Sequence, residues 1–156
     1  MSRRRTEKRR NIPADPLYKS IIVELFVRQI MRKGKKTLAY SIIYKSMFKI
    51  REITKEEPLI IIEQAILNVK PLLETRARRS RGSVKQIPIE VKPERGILLA
   101  IRWIKIAAQK NKGKPMFLAL ANELINASNN TGNAVRKKDE THKMAEANKT
   151  FIKRKY

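Results

Sequence analysis

The chain contains no cysteine, which excludes disulfides, thiolate zinc sites and thiol catalysis together and leaves a reducing compartment open to it. Histidine is nearly absent as well. His142 is the only one, and charged residues surround it. Neither a base–nucleophile pair nor a metal-ligand spacing can be assembled from that inventory, and five scattered glycines form no phosphate-cradling loop. No catalytic residue, metal site or cofactor is therefore expected. Apolar runs are short, as at Ile97 to Ile101, far below the roughly 20 residues that a membrane-spanning helix needs. Negative charge is scarce, with 14 Asp and Glu in 156 residues.

What is abundant is positive charge. Thirty-seven Lys and Arg give a formal net charge of +23. Self-repulsion on that scale opposes compaction, and a polyanion relieves it, so nucleic acid is the expected partner. Hydrophobic residues still make up 42% of an 18.2 kDa chain, enough for one domain with a packed core.

The apolar pattern predicts a mainly α, single-domain bundle of about six helices with one protruding β-hairpin. Residues 1–16 hold Arg3, Arg4, Arg5, Lys8, Arg9 and Arg10 with little apolar to anchor them, and read as a basic arm. The arm is expected to belong to the mature protein. Import peptides are Ser-rich, and Ser2 and Thr6 are the only hydroxyls before Glu7. The helical body is expected over 17–149 and a basic tail over 150–156.

A first helix is predicted over Leu17 to Met31 from Ile22, Leu25, Phe26 and Ile30, with Gly34 suited to a left-handed C-cap. A second covers 36–53, with Leu38, Ile42, Ile43, Met47 and Ile50 inward and Tyr40, Tyr44 and Phe48 broadening the buried face. Pro58 opens a third and Pro71 ends it, with Ile62, Ala65, Ile66 and Val69 as its stripe.

Residues 72–91 lose the helical period. Ile87, Ile89 and Val91 alternate with Pro88 and Glu90, and Arg81-Gly82-Ser83 marks a turn, which predicts the hairpin. A fourth helix follows from Pro93 to about Lys110, with Ile97, Ile101, Ile104 and Ala108 inward. Pro115 opens a fifth, carrying Phe117, Leu120, Ala121 and Leu124. The sixth, from Asn133 to about Lys149, has only a thin stripe of Val135, Met144, Ala145 and Phe151, and is expected to lie over the surface.

The placement of the cations carries the functional reading. Arg76, Arg78, Arg79, Arg81 and Lys85 crowd a hairpin that like charges destabilise and RNA phosphates would steady. Arginine there suits forked bonds to phosphate and stacking on bases. Lys33, Lys35 and Lys36 flank Gly34 ahead of a helix N-terminus, where a phosphate could sit. Trp103 reads as core or core edge, and its neighbour Arg102 as the RNA contact. Two rivals are a helix-turn-helix DNA-binding module and an RNA-processing enzyme. The first lacks a recognition helix with Asn, Gln and Arg on one face, and the second lacks an active site.

Several stretches together resemble the family of small-subunit ribosomal protein seven, of bacterial or plastid type. They are D-P at 15–16, G-K-K at 34–36, R-A-R-R-S-R-G-S at 76–83, I-P-I-E-V at 87–91, A-I-R-W at 100–103, A-N-E-L at 121–124, and above all A-V-R-K-K-D-E-T-H-K-M-A-E-A-N-K-T-F at 134–151. The resemblance covers nearly the whole chain from Asp15. It implies a structural protein that binds the 3′ major domain of small-subunit ribosomal RNA and organises assembly of the subunit head. Its β-ribbon would reach exit-site tRNA and mRNA, beside neighbouring head and platform proteins.

By this resemblance the RNA-facing residues are the N-terminal arginines with Lys8, then Lys35, Lys36, Arg76, Arg78, Arg79, Arg95, Arg102, Arg136, Lys137, Lys138, His142 and Lys143. The exit-site hairpin contacts are Arg78, Arg79, Arg81, Gly82, Ser83 and Lys85. Two departures stand out: Arg81 precedes Gly82 where the family usually has two glycines, and the Phe151–Tyr156 end is more basic than the usual aromatic one. Ile outnumbers Leu twenty to twelve, as in an A+T-rich genome, which fits a plastid-encoded chain of the chloroplast stroma or an A+T-rich bacterium.

Overall fold

The computed structural model describes residues 11–80, 82–111 and 113–149. The elements run α1 (Ile21–Ile30), α2 (Lys36–Thr54), α3 (Pro58–Val69), β1 (Leu73–Ser80), β2 (Ser83–Glu90), α4 (Pro93–Lys110), α5 (Met116–Ser128) and α6 (Asn133–Ala147). Among the described residues, six helices and one antiparallel hairpin are thus the architecture that the periodicity predicts. The core draws on every helix, with Val23, Phe26, Ile43, Met47, Ile62, Val69, Ile101, Ile104, Leu120 and Leu124 all buried. Helix α5 packs against α2, α3, α4 and α6. Its Ala119, Ala121 and Ala127 are fully enclosed, and such small side chains leave room for four neighbours. Truncating Leu120 or Leu124, each 1% exposed, to Ala would cost about 2–5 kcal/mol.

The first helix begins four residues later than the pattern suggests, because a polar turn wins. The Asp15 carboxylate, 1% exposed, accepts the backbone N–H groups of Leu17 at 3.1 Å and Tyr18 at 2.9 Å, and the hydroxyl of Tyr44 at 2.8 Å. Lys19 is driven to φ +51, so the helix starts after it. The D-P motif is therefore a tethered turn on the body. At the other end α1 is capped at Met31, and Gly34 with φ +73 serves the loop into α2 rather than the helix end.

Three expected core residues are on the outside. Leu38 and Phe48 of α2 are 55% and 71% exposed, and Met144 of α6 is 44% exposed. Ala39 and Ser46 take inward places in α2 beside Ile43, Met47 and Ile50, which are buried as expected. Phe151 lies outside the described residues.

Helix α6 is seated more firmly than its composition suggests. Ala134, Val135, Thr141 and Ala145 are buried, and Glu123 of α5, 2% exposed, accepts the Ala134 N–H at 2.9 Å. A carboxylate there satisfies an orphan donor of the first turn and meets the positive end of the helix dipole. Gly132 just before it has φ +97, and a Cβ would lie 2.9 Å from the same carboxylate, so glycine is required twice over.

The hairpin is in register from Leu73 opposite Glu90 to Ser80 opposite Ser83, leaving a two-residue tip in which Gly82 has φ +82. Pro88 sits opposite Thr75, and its missing donor is tolerable because a two-stranded sheet has only edges. Val91 N–H closes the base on Leu72 O at 3.0 Å, and β1 packs against α6.

Candidate RNA-binding surface

The cations of interest lie on elements that touch in series: β1 on α6, α6 on α4, and α4 on α1. Arg76, Arg78 and Arg79 are exposed on β1. None of the three has an ion pair among the described residues. Arg78 lies directly opposite Lys85. Two cations facing each other across an antiparallel pair repel, so the hairpin stores charge that an external anion can neutralise.

Two concavities carry further cations. Trp103, Ile106 and Ala107 of α4 form with Lys110, Arg136, Lys137 and Glu140 a cleft of about 340 Å³ between α4 and α6. A larger groove of about 680 Å³ opens where the loop between α1 and α2 meets the one between α4 and α5. Ile30, Ala39, Ile42, Ala108 and Ala119 line it together with Arg32, Lys33, Lys35 and Lys114. Both have the form that suits a polyanion with flat apolar bases: positive groups for phosphates, and an apolar wall behind them. Arg102 is exposed on α4, and Lys143 and Arg136 are exposed on α6.

Lys36, Arg95, Lys137, Lys138 and His142 are among the expected contacts that have partners within the protein. Lys36 lies 3.0 Å from the Glu24 carboxylate and over the ring of Tyr40 at 5.2 Å. Arg95 pairs with Glu74 at 3.0 Å, joining α4 to the hairpin. Lys137 pairs with Glu140 one turn on at 3.0 Å. The Lys138 ammonium donates to Asn68 O at 2.7 Å, and the Asn68 amide donates to the carbonyls of Ala127 and Ser128, binding α6, α3 and α5 together. His142 Nε2 accepts the Leu72 N–H at 3.1 Å. Arg95 and His142 tie the ribbon to the helices, Lys36 and Lys138 tie helices to one another, and the Lys137 pair stays within α6. The arm cations Arg3, Arg4, Arg5, Lys8, Arg9 and Arg10, and Arg81 at the hairpin tip, lie outside the described residues.

Between the first turn of α1 and the start of α2 is a buried acid. Glu24 is 1% exposed and accepts from Tyr40 Oη at 2.5 Å, Arg28 Nε at 3.2 Å and Lys36. Burial works against its charge, but the bonds from Tyr40, Lys36 and Arg28 outweigh that and hold the carboxyl below its usual range. The same contacts act in the opposite sense on their donors. The bond to Glu24 raises Lys36, and the bond to Glu24 followed by burial raises Tyr40. Burial, then the bond to Asp15, pushes the neighbouring Tyr44 phenol well above its ordinary value. This network fixes the α1–α2 corner that presents Lys33 and Lys35.

Sequence reasoning missed Arg32, Lys110 and Lys114. Each gains meaning only from an element distant in sequence, so no local pattern marks it. Among the described residues no group of acidic residues and histidine is arranged to hold a metal, and no helix is long and apolar enough to cross a membrane.

Residues 2–149 match the family model of ribosomal protein S7p/S5e. The chain is 59% identical over 156 residues to small ribosomal subunit protein uS7c of Prototheca wickerhamii and 54% identical over 156 residues to that of Chlorella vulgaris, covering 100% of both chains in each case. It is 51% identical over 151 residues to small ribosomal subunit protein uS7 of Dictyoglomus thermophilum, with 97% of both chains covered. Matched by that family model over residues 2–149 and by these relatives over nearly its whole length, the chain belongs to the ribosomal protein S7p/S5e family of structural, non-enzymatic small-subunit proteins.

Proposed function

We propose that the chain is a structural constituent of the small ribosomal subunit that binds the 3′ major domain of small-subunit ribosomal RNA, organises assembly of the head, and contacts exit-site tRNA and mRNA through its hairpin. Ribosomal RNA binding is general for the family. The uS7c relatives, chloroplast-encoded, support a plastid ribosome as its location. The observation that carries the finer reading is the hairpin itself. Arg76, Arg78 and Arg79 project from a ribbon whose carboxylates both lie at its base, Glu74 engaged by Arg95 and Glu90 opposite Leu73. A protruding element with unneutralised arginines and no apolar face to cover them suits a mobile RNA better than the body's own core.

The arm over 1–16, the helical body over 17–149 with its hairpin insertion, and the tail over 150–156 are proposed as three functional segments. The body would set the orientation, and the arm and tail would add phosphate contacts. The test is excision of residues 76–85 with a short Gly-containing turn in their place. Subunits should still assemble on the remaining contacts but lose exit-site tRNA and hold the reading frame poorly. Subunits that keep both at the level of the intact chain would overturn the hairpin assignment.

A further inference from the structure

One face of the molecule departs from the rest in charge and in polarity. Helix α3 contains no Lys or Arg in a chain where those residues number 37. Its outward positions are Ile60, Glu63, Gln64 and Leu67, spaced as one stripe of a helix. Ile60 is 56% exposed and Leu67 70% exposed, although Ile61, Ile62, Ala65, Ile66 and Val69 already supply the helix with a full buried face. Glu56 and Glu57 at its start are exposed too, and with Glu63 they carry no ion pair among the described residues. Arg51 and Lys55 stand beside Glu56 and Glu57, whereas Glu63, between Ile60 and Leu67, has no ion pair among the described residues, so the apolar ridge itself repels phosphates and offers a base nothing to stack on. It attracts a segment that is both cationic and apolar.

We propose that the outer face of α3 is a docking surface for a basic protein segment, with Ile60 and Leu67 receiving its apolar side chains and Glu56, Glu57 and Glu63 its lysines or arginines. Charge complementarity selects this occupant over RNA. It also disfavours pairing of this face with the α3 face of a second copy, which carries the same sign. The contact is small, so affinity for a free peptide is weak, and attachment of both partners to one particle raises the effective concentration. The identity of the partner as a neighbouring small-subunit protein rests on the function proposed above. The chemistry of the face does not.

Two measurements separate these parts. The chain has no cysteine, so Gln64→Cys can be labelled uniquely with a benzophenone maleimide and the full chain assembled into small subunits. Illumination should give an adduct that protease destroys and ribonuclease does not, while the same label at Arg102→Cys should give an RNA adduct. An RNA adduct at 64, or no protein adduct there while the control reacts, overturns the docking surface. Failure of both labelled chains to enter subunits counts against the proposed function instead.

The second measurement uses the free full-length chain and a short lysine-rich peptide carrying two leucines. Its binding should shift the amide resonances of Ile60, Glu63, Gln64 and Leu67, and Leu67→Ser or Glu63→Lys should weaken it at least tenfold. The helical signal of each variant confirms its fold. An equal response to a peptide with serines in place of the leucines, or shifts confined to other faces, overturns the inference whatever happens in the particle.

Discussion

His142 and Leu72 are seventy residues apart in sequence, and the imidazole Nε2 of one accepts the backbone N–H of the other at 3.1 Å. That bond fastens the first residues of the ribbon to α6. With Arg95 on Glu74 and Lys138 on Asn68 O, it makes the ribbon's direction a property of the helical body. Replacing His142 with Ala should cost about 1 kcal/mol or less, because Leu72 is exposed and water can substitute as acceptor. Amide exchange at Leu72 and along β1 should quicken while α1 to α5 stay protected. Unchanged exchange at Leu72 would show that the bond does not hold in solution.

The cap that Glu123 places on α6 predicts an ordered pair of variants. Glu123→Ala leaves the Ala134 N–H without its buried partner and should cost about 1–3 kcal/mol. Glu123→Gln keeps an acceptor oxygen and loses only the charge facing the helix dipole, for about 1 kcal/mol. Thermal unfolding should therefore rank intact chain, Gln variant and Ala variant in that order. Equal stability of the two variants would rule out the cap.

Acid should unfold the chain partly through Glu24. Its carboxyl is held below the ordinary value of 4.5, so the folded state binds its proton less readily than the unfolded chain does. The contribution is complete above that ordinary value and disappears as pH falls through the lower folded one. In Glu24→Gln the acid limb of the stability profile should flatten, with a loss of about 2 kcal/mol near neutrality, since Lys36 and Arg28 are half-exposed and can rehydrate. An acid limb of unchanged steepness would place the titrating group elsewhere.

The cross-strand pair of Arg78 and Lys85 predicts changes of opposite sign in the free and bound protein. Arg78→Thr should raise protection of the hairpin amides in the free chain by about 0.2–1 kcal/mol, by removing a like-charge pair and adding a β-branched residue. The same change should weaken ribosomal RNA binding and make its salt dependence shallower, because one phosphate contact fewer releases counterions. Loss on both measures would mean that the arginine stabilises the ribbon.

Salt should weaken binding of the intact chain to small-subunit RNA steeply. On the scale set by duplex DNA, about 6 to 10 phosphate contacts give a loss of roughly 10³ to 10⁵ between about 50 and 200 mM. A flat response would show that the cations do not meet phosphates.

The helices were readable in the sequence wherever punctuation and period agreed, as at α3 between Pro58 and Pro71. Alternation around Pro88 and the Arg81-Gly82 tip likewise made the hairpin legible. The pattern misplaced the start of α1 because helical spacing cannot register a carboxylate, that of Asp15, pulling Leu17 and Tyr18 into a turn. It counted Leu38 and Phe48 as core because period identifies an apolar stripe but not which part of it a neighbour covers. For the surface, charge and arginine content singled out the ribbon. The inward partners of Lys36, Lys138 and His142, and the clefts gathering Arg32, Lys110 and Lys114, come from contacts between elements far apart in the chain.

A sheet of two strands has no interior strand, and both of its outer rims present unpaired backbone groups. In a free protein such rims are templates on which further copies can stack into fibres. Here Arg76, Arg78 and Arg79 line one rim's strand, and Pro88 removes a donor from the other. Two ribbons approaching edge to edge would bring their arginines together. The residues proposed to grip RNA therefore also keep newly made, unassembled copies apart from one another, so thinning out the charge for weaker RNA binding would trade directly against solubility before assembly.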